Sequence, residues 1–364
     1  YRGHNVHDIT RSDAGAQNLT VTTDEINRII EHSKANNRKS ICFVTGVPGA
    51  GKTLVGLNIA IQRSNAEKGE HAVFLSGNFP LVQVLTEALA RDKKRRMAEK
   101  GEKIAIGTAR SEVKAFIQMI HHYRDTCLEG TKVVDGRIVA DEEYFLNPKN
   151  LKKSFVPVDH VAIFDEAQRA WTKDALANFM NRKKGYPNFP YSEPEYLISC
   201  LDRHDDWAVV VCLVGGGQEI NTGEAGISEW IESLNREYKD WHVFISDRLH
   251  DAEYAAGRSL ELLSEHEHVE FEPSLHLAVS MRSFRAENLA KFVHKLLDRD
   301  IEGAREAYQT LDKYPIVLTR SLEKAKRWLK EHARGTERYG MIVSSQAERL
   351  KPLAIDVRFK PDVV

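Results

Sequence analysis

An eight-residue segment restricts the fold of this chain more than any other part of its sequence. Residues 46–53 read GVPGAGKT and match the pattern G-x-x-x-x-G-K-[ST]. An apolar run at residues 41–45 precedes them, and apolar residues recur at helical spacing after them, at Leu54, Leu57 and Ile61. A strand, a glycine-rich loop and a helix in this order are typical of a phosphate-binding loop, which we favour over a simple glycine turn.

The chemistry of such a loop assigns a role to each residue type. Glycines let successive backbone N–H groups converge on phosphate oxygens, and the helix N-terminus adds to the attraction. Lys52 is expected to reach the β- and γ-phosphates, and Thr53 is expected to ligate Mg²⁺. The loop therefore predicts a Mg²⁺–nucleotide site that includes Gly46, Gly49, Ala50, Gly51, Lys52, Thr53 and Leu54.

A pair of carboxylates follows a second apolar run. Residues 160–164 read HVAIF, and Asp165 and Glu166 come directly after them. Such a pair is usually a solvated strand end, but beside a phosphate-binding loop we expect Asp165 to bind Mg²⁺ and Glu166 to act as general base toward the attacking water. Gln168 is predicted to reach a γ-phosphate or the next domain, and a hydrogen bond at a helix N-terminus is its simpler alternative.

A third apolar run ends in a glycine-rich turn. Residues 207–214 read WAVVVCLV, and residues 215–217 are all glycine. Ligands of α/β proteins bind at the carboxyl ends of the strands, so Gln218 after this turn is interpreted as a γ-phosphate sensor.

The alternation of apolar runs and helical segments predicts an α/β fold. Runs as apolar as these are buried on both faces, which favours a parallel sheet covered by helices. With 364 residues, at least two domains are expected. We predict a helical lead-in at 1–40, a first domain at 41–272 with a mainly helical insertion at about 91–156, and a second α/β domain at 273–364. The second domain is expected to contain a helix at 286–297 and strands at 275–279, 314–319 and 339–344.

Composition excludes several classes of protein. Lys and Arg (52) balance Asp and Glu (53), so any site for a polyanion must be local. The longest apolar stretch, residues 207–214, is too short to span a bilayer, which argues against a membrane protein. The four cysteines have no CxxC spacing, and a reducing, cytoplasmic location is expected.

Together these segments resemble a known family. GVPGAGKT, FDEAQRAW, LVGGGQEINTGEAG and SMRSFRAENLAKFV are similar to the Schlafen group 3-type DNA/RNA helicase domain, a branch of the superfamily 1 helicase-like P-loop ATPases, over the chain from about Ile41 to its end. The resemblance implies two RecA-like parallel-sheet domains, with ATP and Mg²⁺ bound between them and single-stranded DNA or RNA bound across them. Because the later motifs of the family would lie beyond Val364, we expect a piece of a longer protein with an incomplete second domain and a fused or partner effector outside it.

The resemblance also implies roles for individual residues. The loop residues correspond to motif I, Asp165, Glu166 and Gln168 to motif II, and Gln218 to motif III. Arg282 resembles a motif IV arginine that reaches the γ-phosphate from the second domain. The segment that resembles motif Ia, which contacts the nucleic-acid backbone, comprises Ser76, Gly77, Asn78 and Pro80.

Two functions therefore remain open. The first is an ATP-hydrolysing, helicase-like motor or remodeller of DNA or RNA. The second is a nucleotide-driven switch, for example in antiviral defence, that hydrolyses ATP without translocating. Weaker candidates are metal ligands at His121-His122 and His266-x-His268, for which solvated histidines are favoured. The basic run 91–96 could bind phosphates, but solvated surface is favoured for it. Trp171, Trp207, Trp230 and Trp241 could stack on bases, but core packing is favoured for them.

Overall fold

The computed structural model describes residues 6–64, 71–215, 223–250, 257–280, 284–311, 316–335, 339–341, 343 and 347–353. Within it the chain forms two compact units, Tyr1–Met281 and Arg282–Val364.

An eight-stranded sheet forms the centre of the first unit. The described strands of this unit are β1 Lys39–Gly46, β2 Ala72–Ser76, β3 Ile117–Met119, β4 Thr131–Val134, β5 Arg137–Ala140, β6 Val161–Asp165, β7 Ala208–Leu213, β8 His242–Ile245, β9 Val269–Phe271 and β10 His276–Leu277. All of them except β4 and β5 belong to the eight-stranded sheet. Their order in the sheet is β3-β2-β6-β7-β1-β8-β9, with β10 also paired to β1, and every pairing in this sheet is parallel. The α/β fold with a buried parallel sheet, predicted from the apolar runs, is confirmed.

Helices cover both faces of this sheet. In the first unit they are α1 Val6–Ala35, α2 Lys52–Arg63, α3 Phe79–Glu99, α4 Ile106–Phe116, α5 Ile120–Leu128, α6 Glu142–Leu146, α7 Lys173–Lys184, α8 Glu193–Asp202, α9 Ser228–Glu237 and α10 Gly257–Ser264. The alternation of side chains along β1 divides the core in two. Ile41 and Phe43 pack in a cluster with α7, α8 and α9, whereas Cys42 and Val44 pack in a second cluster with α1, α2 and α4.

The predicted insertion at 91–156 is only partly helical. It contains the end of α3 together with α4, α5 and α6, but it also contributes β3 to the main sheet and the antiparallel hairpin β4–β5. The expectation that this region is mainly helical missed these three short strands, and its status as an insertion stays a prediction. A three-residue strand such as β3 is too short to display a period of two in the sequence, because alternation needs about four residues or more to be recognised.

The strand predicted at 275–279 belongs to the first unit. Here the structure has β10, which pairs with the end of β1 by placing His276 beside Thr45 and Leu277 beside Gly46. Its assignment to a second sheet is thus wrong. The division of the chain into two RecA-like domains at residue 273 stays a prediction.

The second unit is helical in its described part. Its helices are α11 Phe284–Leu297, α12 Ile301–Gln309 and α13 Leu322–His332, so the helix predicted at 286–297 is confirmed. The described residues of the strands predicted at 314–319 and 339–344 are not in strands. Leu318 is 93% exposed, which illustrates why an apolar run alone does not make a strand without a sheet neighbour. Among the described residues, none of the helices has the length and apolar character needed to cross a membrane.

The close approach of α2 to the sheet generates a first prediction. A Cβ on Gly56 would lie 2.7 Å from Leu213 Cδ1 and 2.8 Å from Ile163 Cγ2. Gly56→Ala should therefore lower the free energy of unfolding by about 1–3 kcal/mol, since overpacking outweighs the gain in helix propensity. Gly107→Ala in α4 is the matched control, because its Cβ would meet no atom within 4 Å. Urea unfolding of both variants provides the measurement, and equal stabilisation by the two alanines would contradict the packing argument.

Candidate functional site

The candidate phosphate-binding loop begins at Gly46, the last residue of β1, where no side chain can be accommodated. Gly46 has φ 155°, and a Cβ there would lie 2.7 Å from both the Cβ and the carbonyl oxygen of Leu277 in β10. Val47 N donates to the same Leu277 oxygen at 3.0 Å, so β10 holds the start of the loop. Gly49 and Gly51 have φ values of 78° and 96°, in the left-handed region where glycine carries no steric cost.

The loop ends where α2 begins, at Lys52. The N-cap of α2 is Gly51, so no side chain caps the first N–H groups of the helix. The first turn also contains no acidic residue. The Lys52 ammonium folds back over the loop and donates to the carbonyl oxygens of Gly46 at 2.6 Å and Val47 at 3.3 Å. A helix N-terminus and a cation therefore lie together at this end of β1, as binding of an anion requires.

Asp165 lies at the carboxyl end of β6 and is buried. The Thr53 hydroxyl donates to Asp165 Oδ1 at 3.0 Å, and the Ser76 hydroxyl donates to Oδ2 at 3.4 Å. Only 3% of Asp165 is exposed. Burial raises the pKa of Asp165 to about 6, and the hydrogen bond from Thr53 opposes this effect. The structure thus brings together two side-chain oxygen atoms, of Thr53 and Asp165, that are 112 residues apart in the sequence.

Glu166 and Gln168 are joined by a hydrogen bond. Glu166 has a left-handed backbone (φ 55°), which costs about 1–2 kcal/mol for a residue with a side chain and turns the chain out of β6. Gln168 Nε2 donates to Glu166 Oε2 at 2.6 Å, and Gly215 N donates to Gln168 Oε1 at 2.9 Å. The helix N-terminal hydrogen bond considered for Gln168 is not what the structure has; this side chain connects Glu166 to Gly215, two residues after the end of β7.

A cavity of about 720 Å³ lies beside these carboxylates. Its walls include Asp165, Glu166 and the segment Ser76, Gly77 and Asn78 that resembles motif Ia. Asn78 also caps α3 by accepting a hydrogen bond from Leu81 N at 3.2 Å, which fixes the segment. Pro80, in the first turn of α3, is outside the set of cavity-lining residues.

Trp171 also lines this cavity, and the preference for core packing is wrong for it. Trp207, Trp230 and Trp241 are buried, but 37% of Trp171 is exposed. Its backbone N–H donates to Glu193 Oε2 at 3.1 Å, and its ring meets Phe179 edge-to-face at 5.2 Å. The sequence signal that could have singled it out is its place five residues after Glu166, at the edge of the sheet where ligands bind.

Arg124 is a residue that the sequence analysis missed. It lies in α5, inside the region predicted as an insertion, and it lines the same cavity although only 2% of it is exposed. Its Nη1 atom faces Glu193 Oε1 at 3.3 Å, whereas Nε and Nη2 have no hydrogen-bond partner among the described residues. A single arginine within a helical pattern carries no signal of burial, so no sequence feature identified it.

The remaining candidates divide into three groups. Gln218 and Arg282 lie outside the described residues, and their roles stay predictions. Within the basic run, Arg91 pairs with Glu87 while Arg95 and Arg96 pair with Asp92, all on the exposed surface of α3, as expected for solvated charges.

His266 is buried instead of solvated. Its ring nitrogens bond to Asn235 Oδ1 at 2.9 Å and to the Trp241 carbonyl at 2.7 Å, so it has a structural role. His268 stacks on His242 at 4.6 Å, and His121 lies edge-to-face with His122 at 4.3 Å.

The buried Asp165 carboxylate leads to a prediction about stability. Its folded pKa is raised, so its ionised form destabilises the fold by about 3 kcal/mol above pH 6, and this cost disappears as pH falls toward 4. Asp165→Asn should therefore raise the melting temperature of the nucleotide-free protein at pH 7.5 but not at pH 4. The exposed Asp240→Asn is the control and should have little effect at either pH. A lower melting temperature for Asp165→Asn at pH 7.5 would contradict this account.

Comparisons with known proteins place this geometry in a family. The family model described as Schlafen group 3, DNA/RNA helicase domain matches residues 39–363. A comparison with curated proteins gives no significant match. The matched range begins with the first residue of β1 and includes the phosphate-binding loop, Asp165, Glu166 and the glycine-rich turn after β7. The chain therefore belongs to the Schlafen group 3 DNA/RNA helicase domain family, whose name indicates a helicase-like, nucleotide-binding function.

Proposed function

We propose that this chain is an ATP-hydrolysing, helicase-like motor or remodeller that acts on single-stranded DNA or RNA. The observation that carries the proposal is the hydrogen bond from Thr53 to Asp165, which joins the phosphate-binding loop to the carboxylates after β6. The family of the chain supports the same reading.

The residues present fit ATP and Mg²⁺. Thr53 and Asp165 offer a hydroxyl and a carboxylate oxygen 3.0 Å apart, and oxygen atoms are the ligands that Mg²⁺ prefers. Lys52 and the N-terminus of α2 would bind the phosphates. When bound, Mg²⁺ neutralises charge on the phosphate oxygens.

Glu166 is the residue proposed to accept the proton of the attacking water. It follows Asp165 directly, and the hydrogen bond from Gln168 orients its carboxylate. Because Gln168 also accepts from Gly215 N, two residues after β7, a shift of Gly215 would be transmitted to Glu166. This connection gives nucleic acid bound at the sheet edge a route to the rate of hydrolysis.

The cavity beside the carboxylates is the proposed nucleic-acid contact. Ser76, Gly77 and Asn78 form part of its wall and would meet the sugar-phosphate backbone. Trp171 presents a partly exposed ring on which a base can stack. Stacking does not depend on base identity, so this site would bind single strands without strong sequence preference.

Two substitutions in the nucleotide site should behave differently. Glu166→Gln should slow ATP hydrolysis by about 10² to 10⁴-fold while ATP affinity is kept, because Lys52, Thr53 and Asp165 remain. Lys52→Ala should lose ATP binding itself, because it removes the cation at the phosphates. Binding of a fluorescent ATP analogue and single-turnover hydrolysis measure the two effects separately. An affinity loss in Glu166→Gln as large as that in Lys52→Ala would refute the assignment of the base.

The stacking role of Trp171 can be tested with nucleic acid alone. Trp171→Ala should weaken binding of a single-stranded oligonucleotide by about 5- to 150-fold, since stacking on one base contributes about 1–3 kcal/mol. Phe271→Ala, which removes a 52% exposed ring from the edge strand β9, should leave affinity unchanged. Fluorescence anisotropy measures both. Equal affinities for the wild type and Trp171→Ala would exclude this ring from the interface.

A further inference from the structure

Three side chains with metal-ligating atoms meet at the amino-terminal ends of two central strands. His160 directly precedes β6, whereas His204 and Asp206 lie in the connection between α8 and β7. One donor atom from each lies within 4.8 Å of the other two, and this is the one such group of three that the described residues contain. The cluster is at the opposite edge of the sheet from Asp165, which ends β6, so it is separate from the nucleotide site.

The hydrogen bond of His204 fixes which of its nitrogens is available. Nε2 lies 3.0 Å from the Asp159 carbonyl oxygen. A carbonyl oxygen can only accept, so Nε2 carries the proton and Nδ1 keeps its lone pair. Histidine ligands of metals characteristically donate their other N–H to a backbone carbonyl in this way, which holds the ring for coordination.

The position of His160 is also fixed, yet one of its nitrogens has no partner. Its ring packs on His204 with centroids 4.0 Å apart and stacks on Trp207 at 4.7 Å. Nε2 lies 3.4 Å from Asp206 Oδ1, and Nδ1 is buried without a hydrogen-bond partner among the described residues. A buried polar atom without a partner costs about 1–3 kcal/mol, so the arrangement is incompletely satisfied by protein atoms alone.

We propose that His160, His204 and Asp206 form a Zn²⁺ site. Two imidazoles and a carboxylate are donors that Zn²⁺ accepts, with bonds of about 2.0–2.2 Å. Tetrahedral geometry needs donor atoms about 3.3 Å apart, and His160 Nε2 and Asp206 Oδ1 are already 3.4 Å apart, with a His204 donor atom within 4.8 Å. The Asp206 side chain is 52% exposed, which leaves the fourth position to water.

The choice of metal follows from the donors. Mg²⁺ and Ca²⁺ favour all-oxygen sites and are disfavoured by two imidazoles. Fe²⁺ accepts the same donor set as Zn²⁺ but stands below it in the general order of affinity. Zn²⁺ bound here would link the start of β6 to the approach to β7, the two adjacent strands whose other ends carry Asp165 and Gly215. The site would therefore have a structural role, and it does not depend on the proposed ATPase activity.

Zinc binding to the full chain provides the test. The protein is first dialysed against a chelator, and Zn²⁺ alone is then titrated in competition with a chromophoric chelator. We expect one Zn²⁺ per chain with a Kd of about 1 μM or below, and a higher melting temperature with Zn²⁺. Mg²⁺ at millimolar concentration, about a thousandfold above that Kd, should not displace it.

Variants identify the ligands. Asp206→Asn should weaken Zn²⁺ binding by about tenfold or more and His160→Gln by about a hundredfold. His268→Gln is the matched control, because it removes one ring of another stacked histidine pair, His242–His268, that lies outside the cluster, and its affinity should equal that of the wild type.

Absence of stoichiometric Zn²⁺ binding would overturn the proposal. The His160 and His204 rings would then have only a packing role beside Trp207. Equal affinity of the wild type and Asp206→Asn would overturn it as well. Asp206 is the decisive position if His160→Gln fails to fold, because its exposed side chain contributes little to the core.

Discussion

The hydrogen bond between Thr53 and Asp165 is the contact on which the candidate site depends. It exists because β1 and β6 are parallel and separated by one strand, β7, so that the loop after β1 and the carboxylate after β6 emerge at the same edge of the sheet. Burial of Asp165 raises its pKa, and the hydrogen bond from Thr53 offsets only part of this cost, so the buried carboxylate is unfavourable for folding alone. A buried carboxylate kept at such a cost is typical of a site selected for binding a ligand.

The sequence predicted the centre of the sheet better than its edges. β1, β2, β6 and β7 are buried on both faces, so their central residues are apolar on both sides of the strand, and this leaves a continuous apolar run in the sequence. β3 and β10 have three and two residues, which is too few for a periodic pattern. The apolar residues near Leu318 give the opposite error, because β-like composition does not create the neighbouring strand that a sheet needs.

In the candidate site, the residues that belong to sequence motifs could be predicted, whereas those placed by tertiary packing could not. Thr53 and Asp165 could be picked out from motifs, because the binding of phosphate and a metal ion that we propose for them requires particular residue types at particular spacings. The bridging contacts of Gln168 and the burial of Arg124 follow from tertiary packing, and neither has a local signature. Trp171 is intermediate, because its place after the carboxylates could be read from the sequence but its exposure could not. Gln218 and Arg282 stay predictions.

The central claim is that this family member couples ATP hydrolysis to single-stranded nucleic acid. The direct measurement is the steady-state rate of ATP hydrolysis by the chain, without nucleic acid and with single-stranded DNA, single-stranded RNA and duplex DNA. The account predicts slow hydrolysis that increases when a single strand is added and does not increase with the duplex. Hydrolysis at the same rate under all four conditions would contradict the account and favour a nucleotide-driven switch.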